Sequence, residues 1–166
     1  MNFHFKIQRH LVGEIHADLR RPHSVAYERV GFIKVGFARS QEGILILAAD
    51  YRAVADEDYV FKAGVGATIK AEAISKAMDW ALETQAGIFH VHAHTGRGRP
   101  VFSPTDVQSN ARLVPAFFNV SPNALHGAVL LTDNQLGGSV WTTRTSAPQP
   151  FRRVTVVGAP IWVQRL

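Results

Sequence analysis

The sequence predicts an α/β fold, a single domain built on a mixed β-sheet flanked by helices, and three observations predict it. Residues 27–38 and 43–54 are rich in Val, Ile, Phe and Leu, with Ser40-Gln41-Glu42-Gly43 between them, the pattern of two strands joined by a turn. Residues 66–86 place Ile69, Ala73, Ile74, Ala77, Met78, Ala81 and Leu82 at a 3.6-residue period. Strand-like and helix-like segments interleave along the chain, the order of an α/β sandwich.

Taken in order, residues 2–8 alternate loosely and predict a short strand. Residues 9–20 space Leu11, Ile15 and Leu19 four apart, one face of a helix that ends at Arg21-Pro22. The hairpin 27–38/43–54 follows, with a short strand expected over 58–62. The helix over 66–86 stops at Gly87. Ile88-Phe89-His90-Val91-His92-Ala93 reads as a strand, and Thr95 to Phe102 as a Gly- and Arg-rich loop. Ser103-Pro104 opens a helix to about Phe118. Residues 126–132 and 138–144 predict a second hairpin around Asp133-Asn134-Gln135, and a last strand lies near 153–158. Only Thr145 to Pro150 is loop-like enough to be mobile. Trp80, Trp141 and Trp162 are expected in the core.

The 166 residues suit one domain, with 46% hydrophobic and 19% charged residues, a globular balance. The chain has no cysteine, which excludes disulfides, thiolate metal sites and a cysteine nucleophile. Any metal ligands are therefore His, Asp or Glu. No apolar run is long enough to span a membrane, and Met1-Asn2-Phe3-His4-Phe5-Lys6 lacks the apolar run of a signal peptide. A soluble, cytoplasmic protein is expected. The formal charge is +5, but the basic residues are scattered, with small clusters at Arg20-Arg21, Arg97/Arg99 and Arg152-Arg153. That distribution argues against a nucleic-acid partner.

Chemistry concentrates in residues 90–106, His-Val-His-Ala-His-Thr-Gly-Arg-Gly-Arg-Pro-Val-Phe-Ser-Pro-Thr-Asp. On a strand, residues i and i+2 share a face, roughly 6.5–7 Å apart at Cα. Two such imidazoles can converge on one metal, and Asp106 can supply a third ligand if the loop folds the chain back. Two histidines and a carboxylate leave the fourth tetrahedral position open, as in catalytic zinc sites. Glu28, in Tyr27-Glu28-Arg29-Val30-Gly31-Phe32, is the candidate general base, opening a strand beside the histidine strand. Ser103 can donate a hydrogen bond to a tetrahedral oxyanion. A structural reading competes for part of this. Ser103 is also a good N-cap, Pro104 a good first helical residue, and Asp106 a first-turn acid that complements the helix dipole.

The set His92-Ala93-His94, then Ser103-Pro104-Thr105-Asp106, with Glu28 upstream followed by Gly31 and Gly36, resembles the JAMM (MPN-plus, or JAB) zinc metalloprotease family. His126-Gly127-Ala128-Val129-Leu130-Leu131 resembles a strand of its bacterial stand-alone members. The likeness spans roughly residues 5–145. It implies an MPN/JAB-like, cytidine-deaminase-like sandwich, with Zn2+ held by His92, His94 and Asp106. Glu28 would be the acid/base and Ser103 the oxyanion partner. The implied substrate is a ubiquitin-like protein cleaved at its C-terminus, with activating and conjugating enzymes as pathway partners, as in anti-phage operons. Thr95 stands where the family usually has proline, and Ala93 where it has Ser or Thr. The spacing to Asp106 in the family selects His92/His94 over His90/His92. His90 and His94, roughly 13 Å apart at Cα on a flat strand, are too far apart to share a metal, so His90 is expected in a supporting role. A non-catalytic interaction module of the same fold, or a nucleic-acid-binding metal hydrolase, are the competing functions.

Overall fold

The computed structural model describes residues 1–22, 26–61, 66–158 and 162–165. The elements run β1 (Phe3–Gln8), α1 (Arg9–Leu19), β2 (Val30–Ser40), β3 (Gly43–Ala53), a 3-10 turn (Asp56–Asp58), α2 (Ala71–Thr84) and β4 (Gly87–Ala93). They continue with α3 (Pro104–Phe117), β5 (His126–Leu131), β6 (Leu136–Trp141), β7 (Gln149–Pro150), β8 (Arg153–Val157) and β9 (Trp162–Arg165).

All strands join one mixed sheet in the order β7-β6-β5-β4-β2-β3-β1-β8-β9. β1 runs parallel to β3 and β8, and β4 runs parallel to β5; the other pairs are antiparallel. A parallel pair needs a crossover, and α3 supplies it between β4 and β5. The expected α/β class therefore holds. No helix among the described residues is long and apolar enough to cross a membrane.

Helices cover both faces of the central strands, and the two-residue alternation of each strand decides which side chain meets which helix. On one face, Leu11, Ile15 and Leu19 of α1 pack on Phe5, Ile33, Ile46, Phe89 and Val91. On the other, Ala73, Ala77, Trp80 and Ala81 of α2 pack with Phe32, Ile88 and Phe117. Val114 and Phe118 meet Ala128 and Trp141 beside them. In β4 the odd residues thus face α1, while Ile88, His90 and His92 face α2 and α3. The histidines occupy the α3 side because their parity places them there.

Two close approaches fix the register around β2. A Cβ on Gly31 would meet the Tyr51 ring at 2.4 Å, so only glycine fits beneath it. The Tyr51 hydroxyl reaches over to Asp18 at the end of α1. Gly87 opens β4 against the Leu125 carbonyl, which a Cβ would meet at 2.0 Å.

Several sequence expectations need correction. The second helix begins at Ala71, not 66, because Ile69 is drawn into a bridge with Tyr59. The strand expected over 58–62 is reduced to that bridge after the 3-10 turn, and residue 62 lies outside the described set. Gln149–Pro150, expected to be mobile, pairs with β6 as an edge strand, the place where proline's missing N–H is tolerated. β9 was not foreseen. Trp80 and Trp141 are buried as expected; the Trp162 side chain lies outside the described residues.

Candidate metal centre

β4 and α3 build the site. β4 carries His92, buried to 2% exposure, and the chain continues straight into His94, whose amide donates to the Leu131 carbonyl at 2.9 Å. The loop then turns back. Gly96 and Gly98 adopt φ values of +105° and +109°, which L side chains rarely adopt. The loop is tied to the β5–β6 turn. Gly96 N–H donates to Asp133 Oδ2 at 3.2 Å and Gly98 N–H to Asn134 Oδ1 at 2.9 Å. The Thr132 hydroxyl donates to the Gly98 carbonyl at 2.8 Å. Asp133 and Asn134, read from sequence as turn residues, therefore also hold this loop.

The loop delivers α3 with its N-terminus at the histidines. Ser103 Oγ accepts from Asp106 N–H at 3.2 Å, and Asp106 Oδ2 accepts from Ser103 N–H at 2.7 Å, a complete capping box. The helix-cap reading of this segment is realised, and it does not turn the carboxylate away from the histidines. The carboxylate that closes the box also faces the histidines, with Oδ1 3.3 Å from His92 Nε2 and Oδ2 3.3 Å from His94 Nε2.

One ligand atom from each of His92, His94 and Asp106 lies within 4.8 Å of the others, so the group could hold a metal ion. The donor set fits that use. Both ring nitrogens of His92 are buried without a hydrogen-bond partner among the described residues. Nε2 is near Asp106 but not aligned for a hydrogen bond to it. A buried polar atom left unpaired is costly, and a cation between Nε2 and the carboxylate removes that cost at Nε2. The carboxylate is ready to serve. Burial acts to raise the Asp106 pKa, but His92 and the Ser103 hydrogen bonds outweigh it and hold the group well below the usual carboxylate range.

Glu28 is not on a strand, as expected from sequence, but in a bend two residues before β2. It remains beside the site. Val30 pairs with His92, and the same antiparallel register extended two residues sets Glu28 across from His94. Its carboxylate lies over Gly66, where a Cβ would meet Oε2 at 2.7 Å. Glu14, Glu42, Glu57, Glu72 and Glu83 are all exposed, whereas Glu28 is half-buried. Two cavities flank the centre. One of 410 Å³ is lined by His92 and Asp106, the other of 700 Å³ by His94, and Glu28 lines both. Ser103 Oγ is committed as the helix-cap acceptor, which leaves its hydroxyl proton free to donate.

Two residues add to the set read from sequence. His90 lines the smaller cavity, its ring 5.6 Å from that of His92, and its Nδ1 meets Asn110 Oδ1 at 3.2 Å. Burial, and then the neighbouring His92, push the His90 pKa down to about 3, so the ring is neutral. Asn110 was missed. It lies one helical turn beyond Asp106, and a single polar residue on the inner face of α3 was its only signal. Compared with known proteins, the chain matches no protein-family model and none of the curated proteins.

Proposed function

We propose that the protein is a zinc-dependent peptidase or isopeptidase of the JAMM type, with an MPN-like sheet, that cleaves at the C-terminus of a ubiquitin-like protein. The observation that carries this reading is the buried, unpartnered His92 imidazole aimed at Asp106, with His94 completing the set and a half-buried glutamate at the junction of two cavities. His92, His94 and Asp106 would hold the zinc ion, which when bound would supply a Lewis acid able to acidify water and polarise a carbonyl. Glu28 takes a proton from the attacking water and passes it to the leaving amine nitrogen, as the C–N bond breaks. The Ser103 hydroxyl donates to the oxygen on which negative charge develops. Asp106 stays ionised throughout, held so by its capping hydrogen bonds. Activating and conjugating enzymes of the same modifier are the partners this reading implies.

The test is metal analysis followed by cleavage. Purified protein supplied with zinc should hold one ion per chain and release the extension from a ubiquitin-like protein carrying a C-terminal peptide, read by mass spectrometry. His94→Ala should lose both. A protein that takes up no zinc, or that binds it and leaves a panel of bacterial ubiquitin-like fusions intact, would overturn the reading.

A further inference from the structure

The 410 Å³ cavity beside His92 extends past the metal ligands, and its walls are mainly apolar: Val30, Ile69, Ile74 and Leu113 line it from β2, the segment before α2, α2 itself and α3. Besides the site residues, Thr105, Ser109 and Arg112 line it as exposed side chains and Thr68 as a half-buried one, whereas the buried Asn110 is hydrogen-bonded to His90 in its wall. Asn110 is 3% exposed, deep for an amide. Its oxygen meets His90 Nδ1. With Nδ1–H donating to Asn110, the other ring nitrogen of His90, Nε2, is the one left to accept, and the Asn110 nitrogen is a donor. Turning the amide over swaps the two roles but still leaves one donor and one acceptor.

A cavity of this size that joins largely apolar walls to a buried, hydrogen-bonded polar pair has the make-up of a ligand pocket. The pair matches a peptide group, which offers one C=O and one N–H. The walls match an aliphatic side chain. The shared wall with His92, Asp106 and Glu28 puts that ligand next to the reacting centre. We infer that His90 and Asn110 bind a backbone amide of the substrate and that the cavity takes an aliphatic side chain flanking the scissile bond. The protein would thus select a leucine-sized residue at that position over glycine. This deepens the peptidase reading and rests on it for the identity of the bond.

The test separates the two. Zinc-supplied, 15N-labelled protein is titrated with N-acetyl-leucine N-methylamide and with N-acetyl-glycine N-methylamide, and affinity and zinc content are read together. The leucine compound should shift the Asn110 side-chain amide resonances and bind at least about tenfold more tightly than the glycine compound. Asn110→Leu should weaken the leucine compound about tenfold with zinc retained. His90→Gln, which keeps a donor and an acceptor, should restore most of the affinity lost in His90→Phe. Equal affinity for the two compounds, no binding of either, or an unaffected Asn110→Leu would overturn the inference; the first and second need no variant to fold. A protein that selects leucine but takes up no zinc would instead defeat the metallopeptidase reading and leave the pocket standing.

Discussion

His92 Nε2 lies 3.3 Å from Asp106 Oδ1, fully buried and without hydrogen-bond alignment, while the same carboxylate closes the capping box of α3 through Ser103. One side chain therefore caps the helix and faces His92, and a conservative substitution can separate the cap from the proposed metal ligation. Asn at position 106 keeps an oxygen to accept from Ser103 N–H but removes the negative charge a cation needs. Asp106→Asn should leave the metal-free protein within about 1 kcal/mol of wild type. Its zinc affinity should fall by more than about 100-fold, since even residues that only support a ligand cost 10–100-fold. Chemical denaturation in chelator and a competitive zinc titration check the two halves. A large loss of metal-free stability with zinc affinity intact would make Asp106 a cap and nothing more.

The position of Glu28 separates binding from turnover. Its bend lies beside His94, yet it is not among the three residues whose ligand atoms cluster. Glu28→Gln preserves shape and hydrogen-bonding capacity while removing the carboxylate proposed as the base. Zinc stoichiometry should stay at one per chain, and kcat should fall by roughly 10²–10⁴-fold. Turnover by Glu28→Gln at the wild-type rate would remove Glu28 from the mechanism.

Legibility followed local pattern. α1 stood out because Leu11, Ile15 and Leu19 recur on one helical face, and the β2–β3 hairpin and the histidine strand because they are apolar runs; the structure buries most of those residues. Ser103, Pro104 and Asp106 stood out because a helix start has its own residue preferences. What failed was tertiary. Ile69 fits the helical period of α2 but is claimed by a bridge to Tyr59, a partner ten residues away that no local pattern announces. Glu28 was placed on a strand because residues 27–38 as a whole are rich in Val, Ile and Phe, whereas pairing with β4 begins only at Val30. Asn110 was invisible because its meaning depends on His90 across the α3–β4 interface.

Acid should destabilise the metal-free fold through His126. The ring is wholly buried between Phe117 and Phe118; Nδ1 accepts from Ile88 N–H at 3.1 Å and Nε2 donates to the Ser121 carbonyl at 2.9 Å. One nitrogen accepts, so the ring is neutral. Burial pushes its pKa below the ordinary value, against the pull of the Ser121 carbonyl. The unfolded chain takes up the proton near pH 6.5 and the folded chain does not, so the unfolded state binds more protons and stability rises with pH across that window. The contribution is complete above pH ~6.5 and is lost as pH falls toward the folded value, at up to about 1.4 kcal/mol per pH unit for this one group. His90, pushed down to about 3, acts in the same direction. Urea midpoints measured in chelator should fall steadily from pH 7 to pH 5, and more shallowly for His126→Asn. A midpoint constant over that range would contradict the neutral, buried assignment.

Arg29 should matter to activity although none of its hydrogen bonds goes to the three proposed metal ligands. Its guanidinium is 2% exposed and forks onto Asp56, with Nη1 2.7 Å from Oδ1 and Nη2 3.3 Å from Oδ2. It also donates to the carbonyls of Arg21 at 3.0 Å and Pro22 at 2.9 Å, at the end of the chain that leaves α1. These bonds pin the residue after Glu28 from three directions, and so fix where the Glu28 carboxylate stands. Lysine keeps the charge but cannot reproduce a planar fork to three partners. Arg29→Lys should cost about 2–3 kcal/mol of stability, from lost charged hydrogen bonds. It should also lower kcat/KM by roughly tenfold or more through a misplaced base, with zinc affinity unchanged. A variant that loses the stability but keeps full kcat/KM at a temperature where it is folded would show that Glu28 is positioned by something other than Arg29, and the contact with Gly66 is then the next to break.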